Sequence, residues 1–202
     1  MANKNTNLRE ILLNNVEYLI GHVFQKRVDA VNEHISKIKP TLDMLDSEMR
    51  VITGEYRERV FDADTLEIKT VSGDDKAALQ YTETFKNLQD KKQPFANEYK
   101  KLLEQKESLE IPLHLLQSLQ KAKKAFQDKQ MQISGAENYI RMNGRFENVD
   151  EEEKNLERYG EEIKVLDATL EQEITKCLNN NEVKAAIEQL AFLLKNARNR
   201  NS

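Results

Sequence analysis

Glycine and proline, the residues that interrupt helices most strongly, are scarce in this 202-residue chain. There are 6 glycines and 3 prolines, well under half the combined share of about 12% in average proteins. Tryptophan is absent and aromatic residues make up only 6% of the sequence, which argues against a large compact core. Because few residues break helices, we expect long, uninterrupted helices.

Cysteine and long apolar runs are also scarce. The single cysteine, Cys177, excludes an internal disulfide and fits a reducing compartment. No stretch approaches the roughly 20 apolar residues that a membrane-spanning helix needs. Arg9, Glu10 and Glu17 interrupt the apolar residues near the N-terminus, which does not fit a secretory signal peptide. We therefore expect a cytoplasmic protein without a membrane span.

Charged residues, in contrast, are abundant. They make up 33% of the chain, against about 25% in an average soluble domain. The 31 basic and 35 acidic side chains are interleaved and give a net charge of -4. This balance indicates solvated helix faces and no general attraction to nucleic acid. The hydrophobic fraction of 39% is too high for a disordered chain.

Two segments repeat apolar residues at alternating spacings of three and four. We name them the first and second seam. The first seam contains Val28, Val31, Ile35, Ile38, Leu42, Leu45, Met49 and Ile52. The second seam contains Leu156, Tyr159, Ile163, Leu166 and Leu170. This spacing is typical of coiled coils, and we interpret both seams as surfaces for self-association.

Pro40 lies inside the first seam and allows two interpretations. A proline within a helix removes one hydrogen bond and costs about 3 kcal/mol. One interpretation is a continuous, kinked helix, which the unbroken spacing favours. The other is a helix that ends near Lys37, followed by a new one with Pro40 in its first turn.

The remaining pattern predicts an all-α, elongated helical bundle with coiled-coil segments and one small β-hairpin. Within residues 57–71, Leu66 and Ile68 alternate with Glu67 and Lys69 as in a strand. The prolines at 94 and 112 predict kinks or restarts, and Ser134–Gly135 predicts a helix end. The expected organisation is given by four segments: a long helix over 1–56, a hairpin-like insert over 57–75, a kinked helical segment over 76–134, and a helical hairpin over 135–202 that contains a coiled-coil helix over 149–178.

Motifs for catalysis, cofactors or metals are not found in the sequence. There is no glycine-rich phosphate loop and no Gly-x-Ser-x-Gly elbow. His22, His34 and His114 are not spaced as paired metal ligands. Glu110 and His114 are four residues apart, but a metal site needs more ligands than these two. We therefore predict no catalytic, cofactor-binding or metal-binding residues.

A local group of lysines suggests an alternative function. The possible basic patch consists of Lys121, Lys123, Lys124 and Lys129. Nucleic-acid-binding domains usually carry a basic stripe on a basic domain, whereas this chain has a pI of about 5.6. The sequence therefore favours a non-enzymatic scaffold or adaptor that self-associates and binds proteins. The alternative is a helical, nucleic-acid-associated protein that blocks or recruits a DNA enzyme.

Overall fold

The computed structural model describes residues 2–62, 67–68, 76–143 and 150–200, and the side chains of residues 7–56, 78–143 and 150–197. The helices are α1 (Ala2–Tyr18), a π-helical segment (Leu19–Gln25), α2 (Lys26–Val60), α3 (Lys76–Asn143), α4 (Asp150–Asn179) and α5 (Asn181–Arg200). The predicted all-α class is confirmed.

Two very short strands lie between α2 and α3. Strand β1 (Phe61–Asp62) pairs antiparallel with β2 (Glu67–Ile68), with Phe61 opposite Ile68. Residues 63–66 and 69–75 lie outside the described residues. The predicted hairpin over this region therefore stays a prediction, and the described part of it is a ladder of two residue pairs.

The N-terminal helical region departs from regular α-helix at two places. The sequence predicts one regular helix over 1–56 and neither of these irregularities. Asn15 has non-helical backbone angles of φ -128° and ψ 18°, and its side-chain amide donates to the Ile11 carbonyl at 2.8 Å. The π-helical segment follows four residues later. Kinks of this kind are expected where a side chain or a π-turn enters the hydrogen-bond ladder.

The spacing of buried residues explains the π-helical segment. Leu19 and Phe24 are both fully buried, although five residues separate them. In an α-helix a five-residue step turns a side chain well away from the face on which it began. A π-helix bonds residue i to i+5 and so keeps both side chains in the core.

Helix α2 is continuous through Pro40, which decides between the two interpretations in favour of one helix. Seam residues on both sides of the proline, among them Ile38 and Leu42, are half-buried or buried. Packing on both sides offsets the roughly 3 kcal/mol that an internal proline costs.

Helix α3 is also continuous, across Pro94, Pro112 and Gly135. The predicted helix end at Ser134–Gly135 is therefore wrong, as is a restart at either proline. A helical glycine costs only about 1 kcal/mol relative to alanine. Beyond it, Ala136 is buried and Ile140 is half-buried, so tertiary packing extends the helix past the glycine.

The chain divides into two compact units that cut across the four predicted segments. The first consists of Met1–Arg27 and Ser108–Ser202, and the second of Val28–Glu107. In the first unit α1 packs against α4 and α5, and α4 packs against α5. Its fully buried side chains are Leu12, Val16, Leu19, Phe24, Pro112, Leu116, Leu119, Cys177, Val183 and Ile187.

The turn between α4 and α5 depends on one residue, Asn180. Its backbone N–H donates to the carbonyls of Lys176 and Cys177 at 3.2 Å, which closes α4. Its side-chain Oδ1 accepts from the Val183 N–H at 3.0 Å, which caps α5. An asparagine in this position satisfies a backbone donor that the first helical turn leaves free.

Within the described residues, no helix is long and apolar enough to cross a membrane.

We expect Asn180→Ala to lower the free energy of unfolding by about 1 kcal/mol, the usual cost of losing an N-cap. Urea denaturation followed by circular dichroism would measure the change. Asn179→Ala, at the exposed last residue of α4, is the matched control and should change stability much less. Equal effects of the two substitutions would contradict the capping role.

Candidate interaction surface

The first seam lies in the second unit, and its own chain covers it in part. Val28, Val31, Leu42 and Leu45 are buried. Ile35, Ile38, Met49 and Ile52 are half-buried. All eight predicted positions therefore face inward at least partly, so the structure uses this seam within the chain.

Helix α3 provides the opposing surface in that unit. Lys92 forms an ion pair with Asp46, and the rings of Tyr56 and Tyr81 stack with centroids 4.2 Å apart. The Tyr81 ring also lies 5.7 Å from that of Phe85. These contacts join α2 to the N-terminal part of α3.

The facing stripe on α3 has the spacing of a seam, and the sequence predicts it as a helical stripe but not as an alternating repeat. It follows alternating steps of four and three through Tyr81, Phe85, Leu88, Lys92, Phe95, Tyr99 and Leu102. Leu88 and Leu102 are buried, whereas Phe95 remains 37% exposed. The spacing was available in the sequence, but the lysine at 92 and the proline at 94 interrupt its apolar character.

The second seam lies in the first unit and also packs against its own chain. Leu170 is buried, and Leu156, Tyr159, Ile163 and Leu166 are half-buried. Lys129 of α3 lies 4.4 Å from the centre of the Tyr159 ring, and Arg9 of α1 pairs with Glu171 of α4. Helix α4 therefore contacts both α1 and α3.

The predicted basic patch is divided by the fold. The Lys129 Nζ lies 2.5 Å from the Glu162 carboxylate and its side chain is only 16% exposed. The Lys123 Nζ donates to the Leu13 carbonyl oxygen at 2.7 Å. Lys121 and Lys124 stay exposed. Two of the four predicted lysines are thus engaged in contacts within the chain.

Lys123 has a defined structural task at the break in α1. The non-helical backbone at Asn15 interrupts the ladder that would otherwise satisfy preceding carbonyl groups. Asn15 donates to Ile11 and Lys123 donates to Leu13. A cation at the end of a helical stretch also interacts favourably with its negative pole.

Glu162 and Cys177 have shifted pKa values with clear causes. The hydrogen bond from Lys129 lowers the pKa of Glu162, and the charges of Lys129 and Arg158 act in the same direction. Burial raises the pKa of Cys177 to about 12, and the neighbouring Glu173 charge adds to this rise. Because a thiolate is the nucleophilic form, Cys177 is a packing residue at neutral pH.

Large apolar side chains that remain on the surface are the main candidates for contacts with other molecules. Among the described residues, fourteen large hydrophobic side chains are exposed. The set includes Met131 and Met142 on α3, and three consecutive residues of α5, Phe192, Leu193 and Leu194. Consecutive residues of a helix point about 100° apart, so the three residues of α5 spread apolar surface around the helix.

One face of α3 also forms a shallow, open depression. Its lining consists of Gln127, Gln130, Met131, Ser134, Gly135 and Asn138.

Within the part of the chain that the structure describes, no three His, Cys, Asp or Glu residues come together in a way that could hold a metal ion. No family model, no curated protein and no solved structure matches this chain.

We expect Lys123→Met to lower the free energy of unfolding by about 1.5 to 3 kcal/mol, the range for hydrogen bonds that involve a charged group. The substitution keeps much of the side-chain length but leaves the Leu13 carbonyl without its donor. Lys121→Met, at an exposed position of the same helix, should have almost no effect. Chemical denaturation of both variants measures the difference, and similar losses would rule out the contact.

We expect Glu162→Gln to destabilise the protein at pH 7 and to have little effect in acid. The pKa of Glu162 is lowered from 4.5 in the folded state, so its carboxylate stabilises the fold above that value. This contribution disappears as the pH falls through the lower folded pKa.

Denaturation of wild type and variant at pH 7 and near pH 3 would test the expected convergence. Glu157→Gln, at an exposed position of α4, is the control. A difference between wild type and Glu162→Gln that stays constant with pH would contradict the ion pair with Lys129.

Proposed function

We propose that the protein is a non-enzymatic helical scaffold or adaptor that self-associates and binds other proteins through the faces of its long helices. Coiled-coil packing is the proposed mode of these contacts, and the cytoplasm is the proposed compartment. The observation that carries the proposal is the exposed apolar set. Burying such side chains against a partner gains about 25 cal/mol for each Å² removed from water.

The half-buried seam positions support the same proposal. In a pair of helices, each seam is covered from one side only, and a third helix or a second chain completes the cover. On α2, Ile35 and Ile38 are half-buried, and Met44 and Val51 are more than half exposed. On α3, Phe95 and Leu103 are exposed. The second unit thus retains apolar surface on both helices.

The packing partners of the seams within the chain indicate a role in folding before one in self-association. Both seams pack against helices of the same chain, so their first task is to hold each unit together. Self-association then uses what these packings leave exposed. Polar substitutions in the buried seam positions should unfold a unit rather than separate two folded copies.

The nucleic-acid alternative has less support than self-association. Lys123 and Lys129 contact Leu13 and Glu162, which leaves Lys121 and Lys124 as the exposed residues of the predicted patch. Two lysines provide little of the phosphate-contacting charge that drives such binding. The scaffold proposal, by contrast, rests on apolar side chains from several helices.

We expect the purified protein to sediment as a concentration-dependent equilibrium between monomer and oligomer. Sedimentation equilibrium over about 1 to 200 μM would measure the molar mass against the monomer mass of 23.5 kDa. The mass should rise with concentration because exposed apolar surface is buried on association. A mass that stays at the monomer value throughout would reject self-association.

A further inference from the structure

We infer that the π-helical segment Leu19–Gln25 is a phase adapter, a stretch of helix that holds one surplus residue. It turns the side chains that follow back onto the buried face on which α1 ends. With the surplus residue removed, the chain should form regular α-helix through the same core. All residues of the segment lie in the first unit, and the device does not depend on self-association.

The buried residues before the segment recur at ordinary helical steps. Leu8 and Leu12 are four residues apart, Val16 and Leu19 are three apart, and all four are buried. A step of four turns an α-helix about 40° past a full turn, and a step of three stops about 60° short of one. Each pair therefore stays on one side of the helix.

The next buried residue departs from this spacing. Phe24 follows Leu19 after five residues, and both side chains are 0% exposed. In a regular α-helix a step of five places two side chains about 140° apart, which would direct one of them toward solvent. After Phe24 the sequence returns to steps of four and three, with Val28 and Val31. The irregularity is therefore confined to one place and amounts to one residue.

The π-helical segment accommodates that one residue. Its hydrogen bonds join residue i to i+5, one position further than the i to i+4 bonds of an α-helix. One extra residue is thus held within the same turns, and the side chains before and after it keep a common face. If the step from Leu19 to Phe24 were four, a regular α-helix would keep both in the core.

Gly21 is the residue best placed to be the surplus one. It is exposed, and a Cβ atom built there would meet nothing within 4 Å, so close packing does not require it. A glycine also weakens a helix relative to alanine. Ile20 and Val23 of the same segment are, by contrast, half-buried.

Removal of Gly21 would leave an uninterrupted apolar stripe. Val16, Leu19 and Ile20 would keep their places, and Phe24 and Val28 would each move one position closer to them. Counted from Val16, the five apolar residues would stand at 0, 3, 4, 7 and 11. This is the spacing of an amphipathic α-helix.

The test begins with two deletions in the full chain, compared by thermal unfolding followed by circular dichroism. Deletion of Gly21 should leave the unfolding midpoint at or above the wild-type value, because the core side chains keep their face. Deletion of Ala30 is the matched control, since it also removes a small exposed residue, but from regular helix. It shortens the step from Val28 to Val31 to two and should lower the midpoint by roughly 10 °C or more.

An insertion separates a surplus residue from a segment that tolerates any length. One alanine inserted after Gly21 makes the step from Leu19 to Phe24 six residues. Because the segment already holds its extra residue, the insertion should lower the midpoint about as much as the deletion of Ala30. Removal and addition of one residue at the same place are thus expected to have opposite consequences.

Phe24 reports whether the core keeps its phase. In the wild-type chain Phe24→Ala should lower the midpoint, because it leaves a cavity in the core. It should lower the midpoint by a similar amount in the chain that lacks Gly21, where Phe24 still faces inward. A much smaller effect there would show that Phe24 has left the core, and would reject the phase adapter.

The deletion and the insertion complete the decision. Tolerance of the Gly21 deletion together with loss of stability on insertion supports the phase adapter. A Gly21 deletion as damaging as the deletion of Ala30 rejects it, because the residue is then needed for packing. Equal tolerance of the deletion and the insertion also rejects it, because the length of the segment then has no effect on the core.

Discussion

The fold depends on one requirement: the apolar stripes of its long helices must be covered by other helices. Few residues interrupt these helices. With 6 glycines and 3 prolines in 202 residues, the chain forms helices much longer than an average globular helix, and α3 alone has 68 residues. Long helices present long apolar stripes, and stripes must pack against other helices to be removed from water. Each local irregularity in this protein is consistent with that requirement.

The departures from regular helix show this most clearly. The π-helical segment keeps Leu19 and Phe24 in one core across a five-residue step, and the break at Asn15 is stabilised by its own amide and by Lys123. Pro40 and Pro112 stay inside continuous helices because the residues around them are packed. At these sites tertiary burial outweighs the local preference of the residue, which is the usual relation between propensity and packing.

The same requirement bears on function. Packing within the chain engages the seams and two of the four patch lysines, so residues that stand out in the sequence are largely used to build the fold. Contacts with other molecules can use only the surface that stays exposed after this packing. That surface includes exposed large apolar side chains on α2, α3 and α5. A scaffold built from helices would act through such faces.

The sequence by itself determined the helical class, the seams as inward-facing stripes and the α4 and α5 helices, because these follow from periodicity and composition. It could not determine which stripe packs on which, because a seven-residue repeat fits helices of the same chain and of another chain equally well. Only the tertiary structure decided that Lys123 bonds Leu13, that Lys129 meets Glu162 and that α3 continues past Gly135. Those outcomes depend on residues far apart in the sequence, and local pattern contains no information about such distant contacts.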